Sequence, residues 1–152
     1  MTADNQDTKQ SPPFIIPILV CAAVALLWLI PYIAMSLKGG GSGAGIWGIF
    51  SLIALPATVI APVAYGRMTR DTIGAILIGV LPFLLVMTVP RLLSGEIPQD
   101  TGWLAWTVLY IVSLCTIGGL EGFFASRRDE KSLVVAVLMA GAWFWVFLSG
   151  IN

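Results

Sequence analysis

A protein that does chemistry needs side chains that move a proton, hold a metal or attack a carbonyl, and this chain has few of them. It contains no histidine and two cysteines, so it lacks the commonest general base near neutral pH and the commonest metal ligand. Cys21 and Cys115 stand far apart, with no C-x-x-C pair. A zinc site needs several such ligands and a redox dithiol needs a neighbour, so both read as small packing residues. The acids are Asp4, Asp7, Asp71, Glu96, Asp100, Glu121, Asp129 and Glu130. Glu96 and Asp100 share one polar segment, and Asp129 and Glu130 adjoin Arg127 and Arg128. No two are therefore set to converge as a glycosidase or two-metal centre requires. The sequence predicts a non-enzymatic protein with no catalytic, metal or cofactor site.

Glu121 is the acid embedded in an apolar run, between Ile117-Gly118-Gly119-Leu120 and Gly122-Phe123-Phe124. Counted from Trp103 at 1.5 Å per helical residue it lies about 27 Å along, at a membrane boundary and not at the midplane. An interfacial ion pair of Glu121 with Arg127 or Arg128 is the expected arrangement. The same run places Thr107, Tyr110, Ser113, Thr116, Gly119 and Gly122 at every third position. A step of three drifts about 60° per turn, so these residues form a slanting ridge suited to close helix packing or, as the alternative, to a polar pathway. Gly118 and Gly122, Ala57 and Ala61, Ala75 and Gly79, and Ala136 and Ala140 are small-xxx-small pairs that let helix backbones approach in lipid.

The elements that carry these residues are five apolar stretches, at 14–36, 46–65, 72–89, 103–124 and 133–151. Even the shortest reaches about 27 Å as a helix, close to the roughly 30 Å hydrocarbon core. Hydrophobic residues make up 58% of the chain and charged residues 11%, far from the soluble globular norm. Lipid cannot satisfy free backbone groups, and continuous apolar runs exclude the alternating barrel pattern. The expected fold is an all-α, polytopic bundle of five transmembrane helices, with residues 1–13 as a polar cytoplasmic tail and 14–152 as one transmembrane domain. The tail carries Asp4, Asp7 and only Lys9, so the first stretch reads as a retained anchor and not as a cleaved signal.

Five spans put the tail, the 66–71 loop and the 125–132 loop on one side. That side holds Lys9, Arg67, Arg70, Arg127, Arg128 and Lys131, against Lys38 and Arg91 on the other. The positive-inside rule then places the N-terminus in the cytoplasm and the C-terminus outside, in a cell membrane. Trp28, Trp47, Trp103, Trp106, Trp143 and Trp145 all fall in the outward half. An interfacial aromatic belt is the plain reading, and a dedicated aromatic pocket the sharper one. Zero net charge and the lack of a basic stripe argue against nucleic acid as a partner.

Pro56, Pro62 and Pro82 fall inside the second and third stretches, each removing a donor and freeing the carbonyl four residues back, so both helices are expected to kink. Residues 38–45 are a glycine-rich linker and not a phosphate loop. Arg67 matches Arg127 and Thr72 matches Ser132 across two hairpins offset by 60 residues, a faint parallel repeat. The partners expected are the bilayer and other membrane helices, in a hetero- or homo-oligomer. Function then reads as helix packing, in an accessory or assembly subunit or a self-associating unit. The alternative is a small oligomeric transporter or channel using the kinked helices and the polar ridge.

Overall fold

The computed structural model describes residues 14–37, 44–94 and 101–150. They form α1 (Ile15–Leu37), α2 (Ala44–Thr69), α3 (Thr72–Ser94), α4 (Thr101–Ala125) and α5 (Glu130–Ser149), the all-α five-helix bundle that apolarity predicts. The tail 1–13, most of the glycine-rich linker, the whole α3–α4 connection (95–100) and residues 151–152 lie outside the described residues. Four helices are long and apolar enough to cross a membrane, over Leu52–Thr69, Thr72–Leu92, Thr101–Ala125 and Glu130–Ser149. In α1 the described apolar run is Ile15–Pro31, within a helix of 23 residues, about 34 Å long.

α2, α3 and α5 outrun their apolar stretches because lipid contact and backbone termination are separate signals. α2 continues past Tyr65 to Thr69, and Arg70 then takes a left-handed φ of 59°. Asp71 caps α3, its Oδ1 accepting from Gly74 N at 3.0 Å. Asp129 caps α5 in the same way, its Oδ2 accepting from Ser132 N at 2.9 Å. A capping carboxylate satisfies one of the orphan N–H groups of the first turn and opposes the positive end of the helix dipole. The two hairpins therefore correspond through Asp71 and Asp129, and not through Thr72 and Ser132.

α3 packs on α1, α2 and α4, while α4 packs on α2, α3 and α5. Their mutual crossing is the tightest contact: a Cβ on Gly79 would enter the carbonyl of Gly118, a Cβ on Gly118 would enter that of Gly79, and a Cβ on Gly122 would enter that of Ala75. Two of the small-xxx-small pairs thus face one another, Ala75-xxx-Gly79 against Gly118-xxx-Gly122, in antiparallel register. The geometry points each glycine's Cα hydrogen at the opposite carbonyl, a Cα–H···O pair worth about 0.5–1 kcal/mol per contact. Helix geometry continues through the interior prolines of α1, α2 and α3, and Pro31, Pro62 and Pro82 are fully buried, whereas Pro56 is exposed.

Two apolar clusters fill the bundle. Toward the α2–α3 turn lie Cys21, Tyr65, Ala75 and Ile78; toward the other end lie Trp28, Ala54, Phe83, Leu114, Trp143 and Phe147. Cys21 belongs to the first cluster, Cys115 packs against the second, and both are free thiols. In the second cluster Trp143 stacks on Phe147 at 5.3 Å with an 8° interplanar angle, and Phe83 meets Trp143 edge-on at 5.6 Å. Trp28 reaches Phe147 at 5.7 Å and donates to Thr58 Oγ1 at 2.9 Å, and the Thr58 hydroxyl in turn donates a hydrogen bond to Ala54 O at 2.8 Å.

Candidate functional site

Trp28 and Trp143 are 7% and 1% exposed, so they belong to the core and not to a belt. Their rings find edge and face partners there, and the indole of Trp28 has the hydroxyl of Thr58, which removes the reason for either to seek the interface. Trp103, Trp106 and Trp145 are 48%, 70% and 74% exposed, as an interfacial role requires. The side chain of Trp47 lies outside the described residues.

Between the buried and exposed tryptophans sits a cavity of about 450 Å³, walled by Trp28, Trp103, Trp106, Tyr110 and Phe147 with Val86, Met87 and Gly150, and carrying Arg91 and Thr107. Arg91 stands in the last turn of α3, with its guanidinium carbon 5.0 Å from the centre of the Trp103 ring. A second, smaller hollow of about 160 Å³ lies between α4 and α5 and shares Trp106, Tyr110 and Gly150 with the first. The Tyr110 hydroxyl donates to Phe147 O at 3.0 Å, a carbonyl of the last turn of α5 that also accepts from Gly150 N at 3.2 Å. The volume of the first hollow falls in the range of small-molecule sites, and so does its make-up of aromatic walls with few polar groups.

The six ridge residues of α4 divide among three surroundings. Thr107 and Tyr110 line the aromatic cavity, and Tyr110 and Ser113 line the α4–α5 hollow. Gly122 is buried against Ala75, and Gly119 lies against Val80 and Ile76. Thr116 is exposed, its hydroxyl donating to Val112 O at 2.7 Å. The buried face of α4 is Leu114, Gly118, Glu121, Gly122 and Ala125, which follows the 3.6-residue period. A three-residue step drifts off that face within two turns, so the ridge cannot stay on one neighbour.

The expected ion pair of Glu121 with Arg127 or Arg128 does not form. Glu121 is 1% exposed and its Oε1 has no hydrogen-bond partner among the described residues. One turn nearer the α4–α5 loop, Gly66 of α2 meets Ala125 and Ser126. Because α2 and α4 run parallel, Pro62 falls at the level of Glu121, and both are fully buried. The carboxyl lies on the buried face of α4 with Gly118 and Gly122, while the arginines beyond the helix end turn elsewhere. Arg127 lies over the Phe123 ring at 4.5 Å. Arg67 Nη1 donates to the carbonyls of Arg127 and Arg128, each at 3.2 Å, and so ties the two hairpins together.

The Ser126 hydroxyl donates to Phe123 O at 2.8 Å, which makes Thr72 the donor in the 2.9 Å contact between Thr72 Oγ1 and Ser126 Oγ. Tyr65 donates to Asp71 Oδ2 at 3.0 Å. No group of three or more metal-ligating side chains occurs among the described residues.

Sequence reasoning did not single out Arg91, which entered only as a basic residue of the outward side. Its only signal was that Arg91 and Trp103 stand near the two ends of the connection between the third and fourth apolar stretches. Comparison with protein-family models, curated proteins and solved structures finds no match, and the functional reading therefore rests on the chemistry of these residues alone.

Proposed function

We propose that this chain is a non-enzymatic integral membrane protein that works by packing against other membrane helices, as an accessory or assembly subunit or as a self-associating unit. The observation that carries this reading is the outward stripe of α4, Ala105, Leu109, Val112, Thr116 and Leu120, all exposed on the bundle. Thr116 stands at its centre with its hydroxyl tied to its own helix. Against acyl chains such a residue gains nothing over an aliphatic one, whereas against a second helix a small hydroxyl residue permits close backbone approach. Gly141, on the exposed side of α5 with open space where a Cβ would stand, supplies a second place for such an approach. The basic residues of the hairpin end support a cytoplasmic N-terminus in the plasma membrane.

Oxidative crosslinking of Thr116→Cys in native membranes, with Cys21 and Cys115 replaced by alanine, tests the reading. A crosslinked homodimer, or a one-to-one adduct with a single foreign chain, is expected. Crosslinking no better than that of Trp145→Cys, together with a monomeric mass from mild detergent, would sink it.

A small oligomeric transporter or channel is the second reading, and Glu121 is the observation that favours it: intramembrane acids that face a bundle interior mark ion and proton paths. Glu121→Gln keeps the shape and removes the titratable group. In proteoliposomes, cation flux in the parent that is lost in a folded Gln variant supports transport, and the absence of flux in both removes it.

A further inference from the structure

We propose that Glu121 is a reversible proton-binding site, whose neutral acid form holds the crossing of α3 on α4 closed. This deepens the transport reading by naming its cation as a proton, and rests on that reading only for flux; proton binding is measured without it.

Burial sets the problem. Glu121 is 1% exposed and its Oε1 has no hydrogen-bond partner among the described residues, and an ionised carboxylate so placed is strongly disfavoured unless a cation pairs with it. The basic residues of the hairpin end do not supply one. Arg67, Arg70, Arg127, Arg128 and Lys131 are all exposed, with Arg67 engaged by two carbonyls and Arg127 by the Phe123 ring. Nor do the helices that pack on α4. No titratable side chain occurs from Thr72 to Pro90 of α3 or from Ser132 to Ser149 of α5, α2 offers Tyr65 before Arg67, and α4 itself adds Tyr110 and Cys115. Tyr65 donates to Asp71, Tyr110 to Phe147 O, and the Cys115 thiol faces Val80 O.

A proton fits this surrounding better than a metal ion. A metal ion needs about six oxygens around it, whereas no group of three or more metal-ligating side chains occurs among the described residues and the hydroxyls of Thr58, Thr72 and Ser126 are already bonded. A proton needs one acceptor. The protonated carboxyl then becomes a donor, which a carboxylate is not. Pro62, level with Glu121 on α2, leaves Thr58 O without its helical donor, and that carbonyl lies about one turn farther from the hairpin end, the direction in which side chains of α4 lean. A buried carbonyl of this kind suits the neutral acid and repels the ion.

The same position couples the proton to packing. Glu121 stands between Gly118, whose missing Cβ admits the carbonyl of Gly79, and Gly122, whose missing Cβ admits that of Ala75, so water can reach a charge there only if those backbone contacts part. Losing the proton therefore loosens the α3–α4 crossing.

Infrared spectroscopy of the full chain in dodecylmaltoside, a detergent without carbonyl groups, reads the acid directly, because ordinary side-chain carboxyls, at about 4, are ionised at neutral pH. A protonated-carboxyl C=O band is expected at neutral pH, bleaching as pH is raised, absent in Glu121→Gln and shifted in Glu121→Asp, which serves if the Gln variant fails to fold. Sodium or potassium added at constant pH should leave the band unchanged. Unfolding at a series of pH values reads the coupling: the parent should lose stability relative to Glu121→Gln as pH rises, since a group that holds its proton more tightly folded than unfolded loses its contribution with rising pH. A band with this profile but no flux in proteoliposomes supports the proton site and removes transport. No band at neutral pH, a band unchanged in a folded Gln or Asp variant, loss of the band on adding sodium, or parent and Gln stabilities that run parallel across pH would overturn the proposal.

Discussion

At Gly118 a methyl group would enter the carbonyl of Gly79, whereas at Gly119 it would meet the side chain of Val80 at 3.2 Å and that of Ile76 at 3.8 Å. A backbone carbonyl inside a helix cannot move aside, but a valine rotamer can. Gly118→Ala is therefore expected to cost about 1–3 kcal/mol by overpacking. Gly119→Ala should cost less than about 1 kcal/mol, since alanine's helix propensity offsets part of the contact. Val137→Leu, at a position 57% exposed, should lie within about 0.5 kcal/mol of the parent. Unfolding in detergent measures all three, and a Gly119 variant less stable than the Gly118 variant would show that α3 and α4 cross elsewhere. Both small-xxx-small pairs were visible in the sequence. Which pair meets which was not, because small residues recur in every one of these helices and their spacing carries no partner identity.

Asp71 and Asp129 start α3 and α5 with the same cap, and the cap at Asp129 makes the second hairpin acid-sensitive. The bond to Ser132, with help from nearby Arg127, holds the Asp129 carboxyl below its ordinary value of 3.8. A depressed folded value means that the ionised cap contributes stability above the unfolded carboxylate range and loses it as pH falls through the lower folded value. The Ser132 amide resonance should titrate with a midpoint below 3.8 and stop titrating in Asp129→Asn. A midpoint at or above 3.8 would show that the bond to Ser132 does not form. The apolar stretches marked which residues lipid covers; the caps, which are a matter of φ/ψ and side-chain oxygens, marked where the helices begin, and this is why α5 begins at Glu130 and not at Leu133.

For the whole molecule, the split of basic residues between the two ends predicts a cytoplasmic hairpin end and an external aromatic end. In intact cells an impermeant thiol reagent should label Gly40→Cys and spare Arg128→Cys, in a background lacking Cys21 and Cys115. The reverse pattern would invert the topology and move the Arg91 cavity to the inner leaflet.

The sequence by itself determined that the chain is helical and membrane-spanning, because backbone groups in lipid leave no other choice for continuous apolar runs. It also fixed the axial position of Glu121 within its helix, because distance along a helix follows from counting residues at a constant rise. The tertiary structure alone decided direction around each helix axis. It turned Glu121 inward, away from Arg127 and Arg128, sent Trp28 and Trp143 into the core, and closed Trp103, Trp106 and Arg91 around one cavity. Depth adds up along one chain, whereas azimuth has meaning only once neighbours exist, and those neighbours come from stretches dozens of residues away.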